Sequence, residues 1–546
     1  MSDETSFDPR NLPESNREKL APKQEVADSS SQKPPQPQIP DQTDELQRRK
    51  DEQDIAVVRA RLQNLAEQES NPIKDLLIKE IENSGGRITF ERFMELSLYG
   101  NVETEDSKLQ GVGYFSSGDV KISYTRDKEA GIELGHFKTS PEVSSAFGHS
   151  FAYYLEELWE QMGKPESFDV AEMGAGNGTF ARDILEYVRD NNPEFSKAVK
   201  YKIVEIGQGL IDKQKEKLKD FPVEWVLASA TSLPLRNVRG AFISNELVDN
   251  FPVHRINLTK GNLTEKYVTY QEGQFKEIEG EISDPRLGTF FEYLREQHSG
   301  KKSGDAYVNL RALDWMKQVS DALDSGFVIT VDYGGNARRV RHTNVRTGAV
   351  GEHYQSESAE PAYENVGRVD ITSTVDFSAL KKEGERNGLQ TVGLTTQGQF
   401  LEKNGFLWEI RERHKQNVIE YLEGKITRKE LVKRYRDFGP DLDLVKNVSG
   451  PHVDFWIKHI SGKASGDLKV LVQAKNTETR EVRKSMNQTW RTEVRVDPYD
   501  VIEEFEDPEW NGKYGWEQYI DSGDIVRKAR TPEKKKLYAE WLKSHE

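Results

Sequence analysis

Apolar positions along this chain follow two different periods, and the switch between them marks its organisation. In residues 44–82, Ile55, Val58, Leu62 and Leu65, then Ile73, Leu76, Leu77 and Ile81, recur every three or four positions. That spacing predicts two helices with one apolar face each. Asn83-Ser84-Gly85-Gly86 ends the second. From Phe168 the pattern becomes short apolar runs of strand length: 168–173, 201–206, 224–227, 240–244 and 327–331. Helical stretches separate them, such as 180–189 with Ile184, Leu185 and Val188 on one side. Short apolar strands alternating with helices pair in parallel through crossover helices. The expected fold class is α/β, a Rossmann-like doubly wound sheet. An insertion near 255–310 interrupts it. There 266–271, Glu272-Gly273 and 274–278 read as a hairpin. A polar helical stretch at 407–436 and a closing strand at 468–473 follow.

These periods divide the chain into four regions. Residues 1–55 read as a disordered tail, with seven prolines and Phe7 as the only aromatic before Phe90. Residues 56–150 are a helical N-terminal region, and 151–475 the α/β domain. Residues 476–546 are a charged extension that holds Trp490, Trp510, Trp516 and Trp541, four of the nine tryptophans. Such aromatic content predicts an ordered segment that packs on the domain or docks a partner.

Composition narrows the chemistry. The 546 residues carry a net charge of −16 and a mean hydropathy of −0.78. The acidic balance argues against nucleic acid as a partner. No apolar run reaches the ~18 residues of a membrane span. The acidic start, MSDETSFDPR, resembles neither a secretory signal nor a transit peptide, so the expected location is cytoplasmic. There is no cysteine, which removes thiolate catalysis and thiolate-ligated metals. No cluster of His, Asp and Glu has metal-ligand spacing, and no metal is expected.

The strongest chemical signal is Glu172-Met173-Gly174-Ala175-Gly176-Asn177-Gly178-Thr179, between a strand and a helix. Glycines at 174, 176 and 178 allow a tight turn and close approach of a ligand to the backbone. A dinucleotide loop needs glycine where Thr179 stands, and Glu172 would repel a pyrophosphate. A cofactor with cationic groups fits better, and S-adenosylmethionine carries an ammonium and a sulfonium. Glu205, at the end of the second strand, is placed to accept hydrogen bonds from ribose hydroxyls. Ser229, after the third strand, lies where a base would sit. The fourth strand runs into Asn245-Glu246-Leu247-Val248-Asp249. Glu246 and Asp249 can orient an amine or guanidinium nucleophile, and Asn245 can hold cofactor or acceptor. Asp249 reads equally well as a helix cap or surface acid. His254 reads as a packed or surface histidine before a base.

Seven motifs in order resemble the MidA-like family of class I S-adenosylmethionine-dependent methyltransferases, the family of the mitochondrial complex I assembly-factor protein arginine methyltransferase. They span about 75–475. They are the helix 86–99; 113–118; Gly135-His136-Phe137-Lys138-Thr139-Ser140-Pro141-Glu142-Val143; the glycine loop; 245–253; Val331-Asp332-Tyr333-Gly334; and 370–377 with 396–401. The resemblance implies a class I methyltransferase fold and cofactor contacts at Gly174, Gly176 and Glu205. It places Thr139, Ser140 and Glu142 near the pocket and the acceptor near Glu246 and Asp332. It favours a protein substrate, with arginine as the acceptor. Ser140 before Pro141-Glu142 also reads as a helix N-cap. His136 and Asn177 depart from the family pattern, each removing a charge. The alternatives are an assembly protein without turnover and a small-molecule methyltransferase. A dinucleotide oxidoreductase fits poorly.

Overall fold

The computed structural model describes residues 71–103, 109–117, 139–259, 262–290, 304–337, 346–348, 355–356, 360–406, 468–479 and 482, with scattered positions between 409 and 434. The N-terminal tail, the helix expected around 55–65, His136 and the four C-terminal tryptophans lie outside the described residues.

Two sheets organise the described residues. Helix α1 (Pro72–Asn83) starts where Asn71 accepts a hydrogen bond from Lys74 N–H and Pro72 fixes the first turn. It buries Ile73, Leu77 and Ile81. Strand β1 (Ile88–Thr89), helix α2 (Phe90–Tyr99) and the β2–β3 ribbon (Asn101–Glu103, Leu109–Gly111) follow. Then come α3 (Ser140–Val143) and α4 (Ser145–Gln161).

Next are β4 (Phe168–Met173), α5 (Thr179–Asn191), α6 (Pro193–Ala198), β5 (Val199–Glu205), α7 (Gln208–Lys217), β6 (Val223–Leu227) and β7 (Val238–Asn245). Strands β8 (His254–Thr259), β9 (Asn262–Gln271), β10 (Gln274–Gly280) and β11 (Gly304–Val308) form the second sheet. The chain continues with α8 (Leu310–Ala322), β12 (Leu323–Gly335), β13 (Arg346–Gly348), β14 (Gln355–Ser356), α9 (Glu360–Glu364), β15 (Asp370–Thr372) and β16 (Val375–Asp376). It closes with α10 (Phe377–Arg386), β17 (Gln390–Thr396), α11 (Gln397–Lys403) and β18 (Leu468–Lys475).

The main sheet runs in the order β17-β18-β12-β7-β4-β5-β6. All its neighbours pair in parallel except β18, which is antiparallel to both β12 and β17. Its central strands are buried on both faces, as a covered parallel sheet requires. Phe180, Ile184 and Val188 of α5 pack on one side with Phe147, Phe151 and Phe168. Trp315, Met316 and Phe377 pack on the other. Parallel strands all end at one edge, and the loops after β4, β5, β7 and β12 meet there.

The expected hairpin forms: Glu272 (φ +54°) and Gly273 (φ +79°) both adopt the left-handed conformation of a tight two-residue turn. It does not stand alone. β9 also pairs with β8 and β1, so the insertion joins an antiparallel sheet ordered β1-β9-β8-β11. Val268 and Phe275 of that sheet bury against Ile73, Phe93 and Met94 of α1 and α2. Strand β17 had no sequence expectation, because QTVGLTT is half exposed and lacks an apolar run. Among the described residues no helix is long and apolar enough to cross a membrane.

Candidate functional site

Three glycines bend the loop after β4. Gly174, Gly176 and Gly178 have φ of +71°, +55° and +83°. L-residues adopt these values at a cost. A Cβ on Gly174 would also lie 2.9 Å from Leu247 Cδ1. Asn177 Oδ1 accepts from Thr179 N–H at 3.0 Å, at the start of α5.

Carboxylates flank this loop. Glu172 is 2% exposed and accepts a hydrogen bond from Tyr201 OH at 2.7 Å. Burial pushes its pKa up to about 8. Glu205 is also buried. Its Oε1 accepts from the Ile206 and Gly207 N–H groups, at 2.9 and 3.4 Å. Burial pushes it to about 7 against these bonds. Gln214, on α7 and fully buried, donates to Glu205 Oε2 at 3.1 Å and to the Gly176 carbonyl at 2.8 Å. Ser229 Oγ lies 3.0 Å from Thr231 Oγ1, in a turn beyond β6. Ala228 N–H donates to the Glu205 carbonyl, which brings that turn to the end of β5.

The end of β7 builds a second acidic group. Glu246 has φ +50°, a strained conformation for a residue with a side chain. Its Oε1 accepts from Ser140 N–H and Asn245 Nδ2, both at 3.2 Å. Residues Val248–Asn250 then form one 3-10 turn. Asp332, with no exposure, holds this turn: Oδ2 accepts from Val248 N–H at 2.8 Å and Asp249 N–H at 3.3 Å. Its Oδ1 accepts from Tyr333 N–H at 2.7 Å. Asp249 is neither a helix cap nor a surface acid. It is 5% exposed, and its Oδ1 has no hydrogen-bond partner among the described residues. Burial first, then the charges of Asp332, Asp370 and Glu246, hold its pKa well above the carboxylate range. Burial also lifts Glu246 and Asp370 to about 7.

The structure places four of the residues singled out by sequence as follows. Ser140 is not the N-cap of α3. Thr139 takes that place, because Ser140 spends its N–H on Glu246 and its hydroxyl on Gln397 Oε1 at 3.2 Å. Glu142 lies on α3, where its charge is felt by Lys217 and Arg182. His254 is a packed histidine: its Nδ1 lies 2.7 Å from Glu265 Oε1 in the second sheet. Asp332 has both carboxylate oxygens engaged by backbone N–H groups, so it positions the turn.

The sequence reading missed Gln214, Tyr201, Asp370, Asn250 and Tyr99. Asn250 Nδ2 donates to Asp370 Oδ1 at 2.8 Å, and Tyr99 OH to the Asn250 carbonyl at 3.1 Å. Gln214 had a usable signal, a polar residue on the buried stripe of Leu210 and Ile211.

The site is a crevice at the ends of the parallel strands, with the glycine loop on one side and buried carboxylates on the other. Its parts fit an adenosyl group: a glycine cradle without side chains, and a buried carboxylate beside it. Residues 150–395 match the family model "Putative S-adenosyl-L-methionine-dependent methyltransferase". Residues 150–395, somewhat less than half of the chain, are similar to this methyltransferase family, and the cofactor is S-adenosylmethionine. A Drosophila melanogaster relative, protein arginine methyltransferase NDUFAF7 homolog, mitochondrial, is 26% identical over 53% of this chain and 67% of its own. The Caenorhabditis elegans protein of the same name is 22% identical over 69% of this chain and 85% of its own. A Burkholderia thailandensis crystal structure bound to S-adenosyl-homocysteine has the same fold, with TM-score 0.57 and 21% identity. It covers 74% of this chain and 92% of that one. The expected cytoplasmic location is overturned by these curated relatives, which are named mitochondrial.

Proposed function

We propose that this chain transfers a methyl group from S-adenosylmethionine to an arginine side chain of a protein substrate in mitochondria. The observation that carries the reading is the buried Asp249 carboxylate, with one oxygen unpartnered among the described residues, beside Glu246 and Asp370. A buried carboxylate without a counter-charge is costly, and an entering guanidinium removes that cost. The curated relatives named protein arginine methyltransferases support the same acceptor.

The cofactor supplies an electrophilic methyl carbon on a sulfonium, whose C–S electron pair returns to sulfur on transfer. Glu205 accepts the ribose hydroxyls, with Gln214 aligning it. Gly174, Gly176 and Gly178 let the backbone approach the ligand, and Glu172 faces its cationic end. Ser229 borders the base. Asn245, Thr139, Ser140 and Glu142 close the side of the pocket next to the acceptor. Glu246 and Asp249 grip the guanidinium by charge-assisted hydrogen bonds and aim one nitrogen at the methyl carbon. As the N–C bond forms, that nitrogen loses a proton to Asp249, whose raised pKa suits it as acceptor. Asp332 keeps the turn in place.

The domain division follows the same reading. Residues 56–150 complete the pocket of the 151–475 methyltransferase domain, as the Ser140–Glu246 and Tyr99–Asn250 contacts support. The tryptophan-bearing extension 476–546 docks a partner.

The test is incubation with labelled S-adenosylmethionine and mitochondrial protein extract, followed by hydrolysis and separation of methylated amino acids. Labelled methylarginine is expected. Label confined to small molecules or to methyl-lysine would overturn the reading.

A further inference from the structure

A narrow cleft opens beside the Val248–Asn250 turn. It lies on the β12 side of β7, whereas the glycine loop follows β4 on the other side. The space between its walls is tight and opens to solvent at the mouth. Val253, Tyr307, Leu313 and Leu380 supply apolar walls, and Asn309, Ser373 and Asp376 supply polar edges.

Two features say what the cleft takes. The first is Asp376. Its Oδ1 caps α10, accepting from Ser378 N–H at 2.9 Å and Ala379 N–H at 3.1 Å. Its Oδ2 is buried and has no hydrogen-bond partner among the described residues. Burial pushes this carboxyl up to about 6, in keeping with a missing counter-charge. An occupant with an apolar stem and a cationic head matches walls and edge together.

The second feature is the join to the acceptor turn. Ser373 N–H donates to the Asp249 carbonyl at 2.7 Å, and Asn309 Nδ2 to the Val248 carbonyl at 3.1 Å. Cleft and turn are thus one bonded unit, and an extended chain lying across both advances about 3.3 Å per residue. An occupant of the cleft therefore lies on the same bonded unit that carries Asp249.

We propose that this cleft reads a second basic side chain, a lysine or arginine within about four residues of the methylated arginine. The inference rests on the arginine reading above. It adds a sequence preference to the substrate, imposed by Asp376.

The test maps methylarginine sites by mass spectrometry in mitochondrial extract treated with wild type, Asp376→Asn or Leu313→Lys. Asparagine keeps the helix cap and removes the charge. Leu313→Lys places an ammonium in the cleft and leaves Asp376 intact. Wild-type sites are expected to be enriched in nearby Lys or Arg, and both variants to lose that enrichment. On a peptide from a mapped site, Asp376→Asn should lower kcat/KM about tenfold, and the loss should vanish when the basic neighbour is replaced by glutamine. S-adenosylhomocysteine affinity should stay unchanged in both variants. Methylarginine sites without basic neighbours, or enrichment that persists in Asp376→Asn, would overturn this inference alone. Absence of methylarginine in every arm would overturn the arginine reading and this inference with it.

Discussion

The Gln214 amide nitrogen lies 3.1 Å from Glu205 Oε2. Through that contact α7 aligns the acid that ends β5, and the same nitrogen reaches the glycine loop at the Gly176 carbonyl. The bond favours the ionised carboxylate against burial. Gln214→Leu should raise the Glu205 pKa further and weaken S-adenosylhomocysteine binding about tenfold at pH 7. Binding should recover by pH 8.5. Calorimetry at the two pH values checks this, since an equal loss at both would mean damage to packing alone.

Gly174 meets two constraints, φ +71° and the Leu247 methyl 2.9 Å from a would-be Cβ. Gly163 meets only the first, with φ +83° and open space around it. Gly163→Ala should therefore cost about 1 kcal/mol. Gly174→Ala should cost more and also weaken cofactor binding. Denaturant melts of both variants measure the difference.

The buried Asp249 carboxyl destabilises the empty protein. Replacing it with asparagine removes a buried charge crowded by Asp332, Asp370 and Glu246. Asp249→Asn should raise Tm at pH 8, leave S-adenosylhomocysteine affinity unchanged and lower turnover at least a hundredfold. Thermal melts and a labelled-methyl assay on the same preparation check all three.

The buried acids set the pH dependence of the empty protein. Glu172 titrates near 8 and Glu205, Glu246 and Asp370 near 7, all raised by burial from ordinary carboxylate values. Between about pH 4.5 and 8 the folded chain thus holds protons that the unfolded chain releases. Stability then falls as pH rises through that window. Tm without ligand should drop from pH 5.5 to 8.5, and Glu172→Gln should flatten the slope.

Much of this site was legible because its residues sit at strand ends. The β4 and β5 runs are short, rich in apolar residues and mostly buried, so their ends, and with them Glu172 and Glu205, follow from pattern. What was hidden depends on long-range contact. Ser140 is displaced from the cap by Glu246, 106 positions away. The burial of Asp249 is set by Asp332, Ser373 and Asp370, which only the folded sheet brings near. β17 carries too little apolar character to be read before β18 pairs with it. The subcellular location was misread from an acidic N-terminal segment, and the mitochondrial relatives correct it.

Under the proposed function, the glycine loop and Glu205 hold the cofactor while Asp249 serves the acceptor. Calorimetric titration of S-adenosylhomocysteine into wild type, Glu205→Gln and Asp249→Asn tests it most directly. Saturable binding by wild type is expected, with at least tenfold weaker binding by Glu205→Gln and wild-type affinity in Asp249→Asn. Equal binding by wild type and Glu205→Gln, or no binding by folded wild type, would contradict it.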